Sequence, residues 1–194
     1  SGNQKGRGST VPNWVYNTMT VSGDEADVKA FHKQGSTAYT SKYMQLGRGV
    51  VRMIEETVET QFSFWNFVRP DDSILGDYWG EEPRKATLAE ALKFESNHWY
   101  DWNIRNWGCK WDAKLQEVDK SGLDKGHVAY VFETAWGQPQ EFFEAVVKQF
   151  PHLDFTLDYE EEQGWGGEIY ASKGVLDFHK KWDIPELIDV VAGL

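Results

Sequence analysis

At 194 residues and a formal net charge of −11, the chain has the size of one domain and enough length to bury a substantial core. Its acidic balance, 31 Asp and Glu against 20 Lys and Arg, argues against a broad nucleic-acid-binding face, because affinity for polyphosphates comes from Lys and Arg displacing condensed counterions. The single cysteine, Cys109, excludes an intramolecular disulfide framework and fits a reducing cytoplasm, and no apolar run approaches the roughly 18 residues of a membrane span.

In chain order, the polar, Gly-rich opening Ser1 to Thr10 lacks an initiator Met, and residues 1–11 read as a flexible tail ahead of one domain over 12–194. From Asn13 to Val21, Val15, Met19 and Val21 alternate with Trp14, Tyr16, Thr18 and Thr20, a first strand whose inner face is interrupted by Asn17. Ser22 and Glu25 form a capping box that opens a helix to Lys33, with Val28 and Phe31 inward. An insertion is expected over 35–58. Gly35 to Gly49 reads as a loop, whose Gly-Arg-Gly lacks the Gly-Lys-Ser/Thr ending of a phosphate cradle; Val50, Ile54 and Val58, four apart with Val51 alongside, predict a short amphipathic helix.

Glu59 to Val68 is aromatic and β-branched, with Phe62, Phe64 and Val68 set against Trp65 and Phe67, so it predicts a second strand covered on both faces. A second insertion is expected over 71–126. It holds an acidic surface connection from Asp77 to Pro83, a helical stretch from Thr87 to Phe94, and a Trp-rich run from Trp99 to Asp112. Beyond it, Val128, Tyr130 and Phe132 mark a central strand, Pro139 opens a helix with Phe142, Phe143, Val146, Val147 and Phe150 as its stripe, and Leu153 to Tyr159 alternates as the next strand. A hairpin through Gly164 to Gly167 leads to Glu168–Ser172, and a C-terminal helix is expected from Asp183 to Leu194 with Leu187, Ile188 and Val191 apolar.

The Trp-rich run concentrates four of the ten tryptophans in fourteen residues. Read as a helix, it places Tyr100, Ile104, Trp107 and Trp111 on a core-facing stripe, and Trp99, Asn103, Asn106 and Lys110 on a neighbouring one that joins an indole to two amides and an ammonium group. Gly108 predicts a helix end near Trp107. Filling the core is the commoner use of such stripes. The chemistry of the second stripe nevertheless suits a flat ligand, with Trp99 and Trp102 stacking and Asn103, Arg105, Asn106 and Lys110 donating.

The run WYDWNIRNWGCKWDA and the later FETAWGQP resemble the signature of the Api-type ferredoxin-like domain family of phages, plasmids and other mobile elements, a family without an assigned function. Cys109 stands where that pattern has a threonine, and Gly137-Gln138 where it has Ser-Pro. PNWVYN at Pro12 to Asn17 and FSFWNFVRP at Phe62 to Pro70 also resemble family segments, so the likeness covers most of residues 12–173. The resemblance implies an α+β ferredoxin-like sandwich, with an antiparallel sheet of four to five strands and two packing helices, the Trp-rich helix inserted between strands two and three, and a mobile-element origin. It carries over no catalytic residue.

Nothing in the residues names a reaction. The five histidines are not spaced as zinc ligands, no cofactor is implied, and Ser-His-Asp, Walker and dinucleotide motifs are absent. A nucleophilic pair of Cys109 and His98 is the single catalytic arrangement weighed, and a packed thiol is the plainer reading. Asp101 and Asp112 flank the tryptophans and are expected to orient Arg105 or Lys110, while Glu160 to Glu162 reads as a solvated strand end. The expectation is a non-catalytic binder that sequesters a nucleotide-type small ligand in a host cytoplasm. Second comes an acidic effector that inhibits a host protein, with Trp14, Trp79 or Trp165 as anchors, and third a nucleotide hydrolase; neither a membrane nor extended nucleic acid is a partner, and self-association is left open.

Overall fold

The computed structural model describes residues 12–81, 89 and 96–183. Alternation builds the centre: β1 (Trp14–Ser22) turns Val15, Asn17, Met19 and Val21 inward and lies between two antiparallel neighbours, β5 (His127–Ala135) and β6 (Asp154–Glu161). With β4 (Lys114–Asp119), β7 (Gly166–Ser172) and β8 (Val175–Trp182), they make a six-stranded antiparallel sheet of order β4-β5-β1-β6-β7-β8. Helices α1 (Glu25–Gly35) and α4 (Gln140–Gln149) bury Val28 and Phe31, and Phe142, Phe143, Val146 and Val147, in the same core as the inner residues of the sheet. The sequence β1-α1-β4-β5-α4-β6, with its strands ordered β4-β5-β1-β6, is the double βαβ of a ferredoxin-like fold, and β7 and β8 extend it on one side.

Several expectations need correction. Asp24, rather than Ser22, caps α1, its carboxylate accepting from the Ala26 N–H at 3.0 Å. Residues 39–58 hold neither loop nor helix but a separate two-stranded hairpin, β2 (Tyr39–Gly47) and β3 (Val50–Val58), turned at Arg48 and Gly49, both at positive φ. Such a pair of positive φ values suits the twist of a two-residue hairpin turn. The helical reading failed because a spacing of four is even, so Val50, Ile54 and Val58 also share one face of a strand, and β-branched residues favour the strand.

The expected strand at Glu59–Val68 is an irregular segment with a 3-10 turn at Phe64–Asn66, although Phe62, Phe64, Trp65 and Phe67 are indeed buried. The second strand of the ferredoxin unit is instead β4, so the whole inserted region, hairpin and Trp-rich helix included, lies between the first helix and the second strand. A bulge between Leu115 and Glu117 hides β4 by placing its two inward residues, Leu115 and Val118, three apart. The exposed edge strand β8 carries no inward apolar pattern and was likewise not foreseen. Leu75–Trp79, expected in part as a surface connection, forms a short helix, α2, that buries Tyr78. Glu161 is buried, its carboxylate accepting from the Gln163 N–H at 2.7 Å. The C-terminal helix expected from Asp183 and, apart from Ala89, the helical stretch at Thr87–Phe94 lie outside the described residues.

The inserted region also reaches into the core. Phe62 stacks on Tyr130 at 4.4 Å between ring centroids, Phe64 on Phe142 at 4.0 Å and Phe67 on Phe31 at 4.7 Å, so three rings of the 62–67 segment wedge between the helices and the sheet. His32 Nδ1 lies 2.9 Å from the Tyr130 hydroxyl, and elsewhere on the sheet His179 Nε2 lies 2.8 Å from that of Tyr159. Burial lowers the pKa of both histidines, with Lys120 adding to the effect at His32 and Lys181 at His179.

A depressed imidazole stabilises the fold above the unfolded histidine value of about 6.5 and withdraws that stability as pH falls below it, because the unfolded chain takes up the proton first. The raised carboxyls of Glu141 and Asp158 act with the opposite sign, so the histidine contribution is read by difference. Urea midpoints at pH 7 and pH 5 are expected to show a smaller acid-side loss in the His32→Gln, His179→Gln double variant than in the parent. Equal losses would remove both histidines from the pH dependence.

Candidate functional site

A cleft of about 570 Å³ opens between hairpin strand β2 and the helices α2 and α3 (Trp99–Trp107). One wall is a run of rings in mutual contact: Tyr39 stacks on Trp65 at 6.0 Å, Trp65 meets Trp79 at 5.2 Å, and Trp79 meets Tyr78 at 4.9 Å, with Trp102 edge-on to Tyr78 at 5.5 Å behind them. Trp99 and His98 stand at the start of α3, and Lys42 on β2 lines the same space. Rings that brace one another lose little freedom when a flat ligand enters, which favours stacking.

The helix sorts its residues differently from the expected stripes. Trp102, Asn103 and Trp107 are buried whereas Ile104 is exposed, and α3 ends at Gly108 with φ 85°, as its glycine predicted. A side chain at Gly108 would also run into Glu141 and lie 3.1 Å from the Gln138 carbonyl, so the close approach of α3 to the start of α4 requires glycine there.

Of the six predicted ligand residues, the cleft takes two. Trp99 stands in its wall, and Asn103 lines it with both amide ends committed, Oδ1 accepting from the Tyr78 hydroxyl at 2.8 Å and Nδ2 donating to the Lys110 carbonyl at 2.9 Å. Trp102 lies behind the wall as core. Asn106 donates to the Trp102 carbonyl within the helix, and the exposed Arg105 reaches Ser96 O and Asn97 Oδ1, each at 3.5 Å. Lys110 turns toward a separate group of rings, with its Nζ 4.3 Å from the centroid of Trp136, 4.6 Å from Trp111 and 5.9 Å from Tyr100. Trp136 holds φ 73°, a backbone state that costs a bulky residue on the order of 1–3 kcal/mol. Sequence reasoning did not place Tyr39, Lys42, Trp65 or Trp79 here: Tyr39 and Lys42 fall in the expected loop, Trp65 on the face of an expected strand, and Trp79 among the expected docking anchors, each on a segment far from α3.

Asp112 holds this arrangement together. Its carboxylate accepts from the Ser63 hydroxyl at 2.6 Å and from the N–H groups of Phe64, Trp65 and Ala113 at 2.7, 3.2 and 2.7 Å. The expected pairing with Arg105 or Lys110 is replaced by this clamp on the 3-10 turn. Burial raises the Asp112 pKa, and the four donors pull it back. Cys109 is fully buried, donates to the Trp111 carbonyl at 3.3 Å, and has its pKa pushed well up by burial, with Asp112 and Glu141 contributing. A thiol so held is packing rather than a nucleophile. Among the described residues, no group of three or more His, Cys, Asp and Glu is placed to hold a metal, and no helix is long and apolar enough to cross a membrane.

An α+β ferredoxin-like unit carrying an aromatic cleft on an inserted region is the class these features define. Residues 110–189 match the family model described as the ferredoxin-like domain in Api92-like protein. The crystal structure of the protein Api92 from Yersinia pseudotuberculosis superposes with a TM-score of 0.52 over 89% of this chain and 98% of that one, at 9% identity, a likeness of fold alone. No curated protein matches the chain.

Replacing Asp112 by Ala deprives the Ser63 hydroxyl and the Phe64 and Ala113 N–H groups of their acceptor. At about 1–3 kcal/mol for each buried donor left unpaired, the variant is expected to lose roughly 3 kcal/mol or more, seen as a lower urea midpoint at unchanged slope. Asp112→Asn keeps one oxygen and should lose less; wild-type stability in Asp112→Ala would mean the clamp is dispensable.

Proposed function

We propose that this protein is a non-catalytic binder of a small, flat heteroaromatic molecule of the nucleobase or nucleotide kind, held in the cleft between β2 and α3. The observation that carries this reading is the braced wall of Tyr39, Trp65, Trp79 and Tyr78, lining together with Trp99 a space of drug-like volume. A stacked base contributes roughly 1–3 kcal/mol on such a surface. The ring is the recognised part: Lys42 is already bonded to Glu81 at 2.8 Å, with Glu55 at 3.8 Å, and a phosphate would have to replace Glu81. That exchange is within reach, because a partly exposed pair of this kind is worth only about 0–1 kcal/mol.

The buried carboxyl of Asp112 and thiol of Cys109 are both engaged in holding the fold, which favours binding over turnover. In a phage or plasmid setting, which the sequence resemblance implies, the protein would sequester a nucleotide signal of host defence in the host cytoplasm. One observation favours a second reading, an effector that docks on a host protein. The hairpin exposes Met44, Leu46, Val50 and Val51, with Leu46 76% exposed, and apolar groups gathered on a surface mark interaction sites. Trp14, Trp79 and Trp165 serve that reading poorly, since each is half-buried.

Nucleotides, nucleosides and free bases are to be screened by thermal shift, where a ligand at 100 times its Kd adds about 2.7 kcal/mol of stability. We expect one class to raise the Tm and quench tryptophan fluorescence, and Trp99→Ala to weaken its binding by about tenfold or more. No shift from any of them at millimolar concentration would defeat the binder reading, and hydrolysis of the bound compound would replace it with an enzyme.

A further inference from the structure

We infer that Tyr100, Trp111 and Trp136 form a second site, an aromatic cage for a trimethylammonium group in which the Lys110 ammonium is the resident occupant. Three observations point there. The Lys110 Nζ is placed among three rings at 4.3–5.9 Å from their centroids, the geometry in which ring quadrupoles attract a cation. The cage is open to water, with Trp111 39% and Trp136 43% exposed. Finally, Trp136 is kept at φ 73°, where glycine would sit without strain, and its N–H is anchored to the Asn13 carbonyl at 2.8 Å. A bulky ring held out to solvent from a strained backbone adds little to the core, and strained positions of this kind cluster at ligand clamps.

The chemistry selects the ligand. A primary ammonium is strongly hydrated and gives up much when it leaves water, so Lys110 is a replaceable occupant. A quaternary ammonium spreads its charge over methyl groups, loses less hydration, and is the cation that such cages recognise best. The net charge of −11 draws cations toward the surface as a whole. Trp111 also belongs to the wall of the cleft described above, but the cage is tested with a different probe and stands or falls independently of nucleotide binding.

Choline, titrated against tryptophan fluorescence, is compared with its neutral isostere 3,3-dimethylbutan-1-ol. A peptide bearing trimethyllysine, compared with its unmodified form, distinguishes a side-chain source of the group from a free small molecule. Saturable quenching by choline and none by the neutral alcohol is expected. Trp136→Gly, whose glycine suits the backbone and leaves the far-UV spectrum intact, should abolish the response, and Lys110→Ala, which vacates the cage, should tighten binding by about tenfold. Equal responses to choline and the alcohol, an unchanged response in folded Trp136→Gly, or no response in Lys110→Ala would each overturn the assignment.

Discussion

The Asp112 carboxylate is the contact on which the inserted region depends. It closes the 3-10 turn at Phe64–Asn66 from 48 residues away in sequence, and the rings on either side of that turn face two ways: Phe62, Phe64 and Phe67 enter the core, while Trp65 enters the cleft wall. A carboxylate taken from water gains this place because four donors converge on it, and without them its burial would be prohibitive. The same group therefore couples the packing of the ferredoxin unit to the shape of the cleft. Asn103 works similarly at smaller scale, joining α2 through Tyr78 to the chain leaving α3 through Lys110.

Around this clamp the molecule separates two jobs. The six-stranded sheet and its two helices supply stability through a continuous aromatic and aliphatic core, and the inserted residues between α1 and β4 supply the concave aromatic cleft. Function on such a fold resides in what is grafted on it rather than in the sheet itself. Trp111 belongs both to the cleft lining and to the rings around the Lys110 ammonium.

The tryptophans near α3 could not be sorted from sequence. Trp99, Trp102, Trp107 and Trp111 have nearly the same local chemistry, yet they serve as cleft wall, backing core, core with its indole N–H bonded to the Val68 carbonyl at 2.8 Å, and shared wall of cleft and cage. What separates them is which distant segment each one meets. Lys110 was chosen for its charge and proved to face other rings than those expected, because the chain reverses at Gly108 and carries it off the helix.

The amino-acid order alone determined the parts with unbroken periodicity: β1, β5, α4 and β6 are each legible because alternating or helical burial runs through their whole length. The family signature added the ferredoxin-like class. Tertiary structure alone decided the hairpin, whose spacing of four fits two periods, the bulged strand β4, whose inward residues fall three apart, and the irregular run at 62–67, whose hydrogen-bond acceptor lies on another segment. Local periodicity reports which face of an element meets the core; it carries no record of the long-range partner that closes a turn or walls a cleft, and the cleft and the rings around Lys110 are made of such partners.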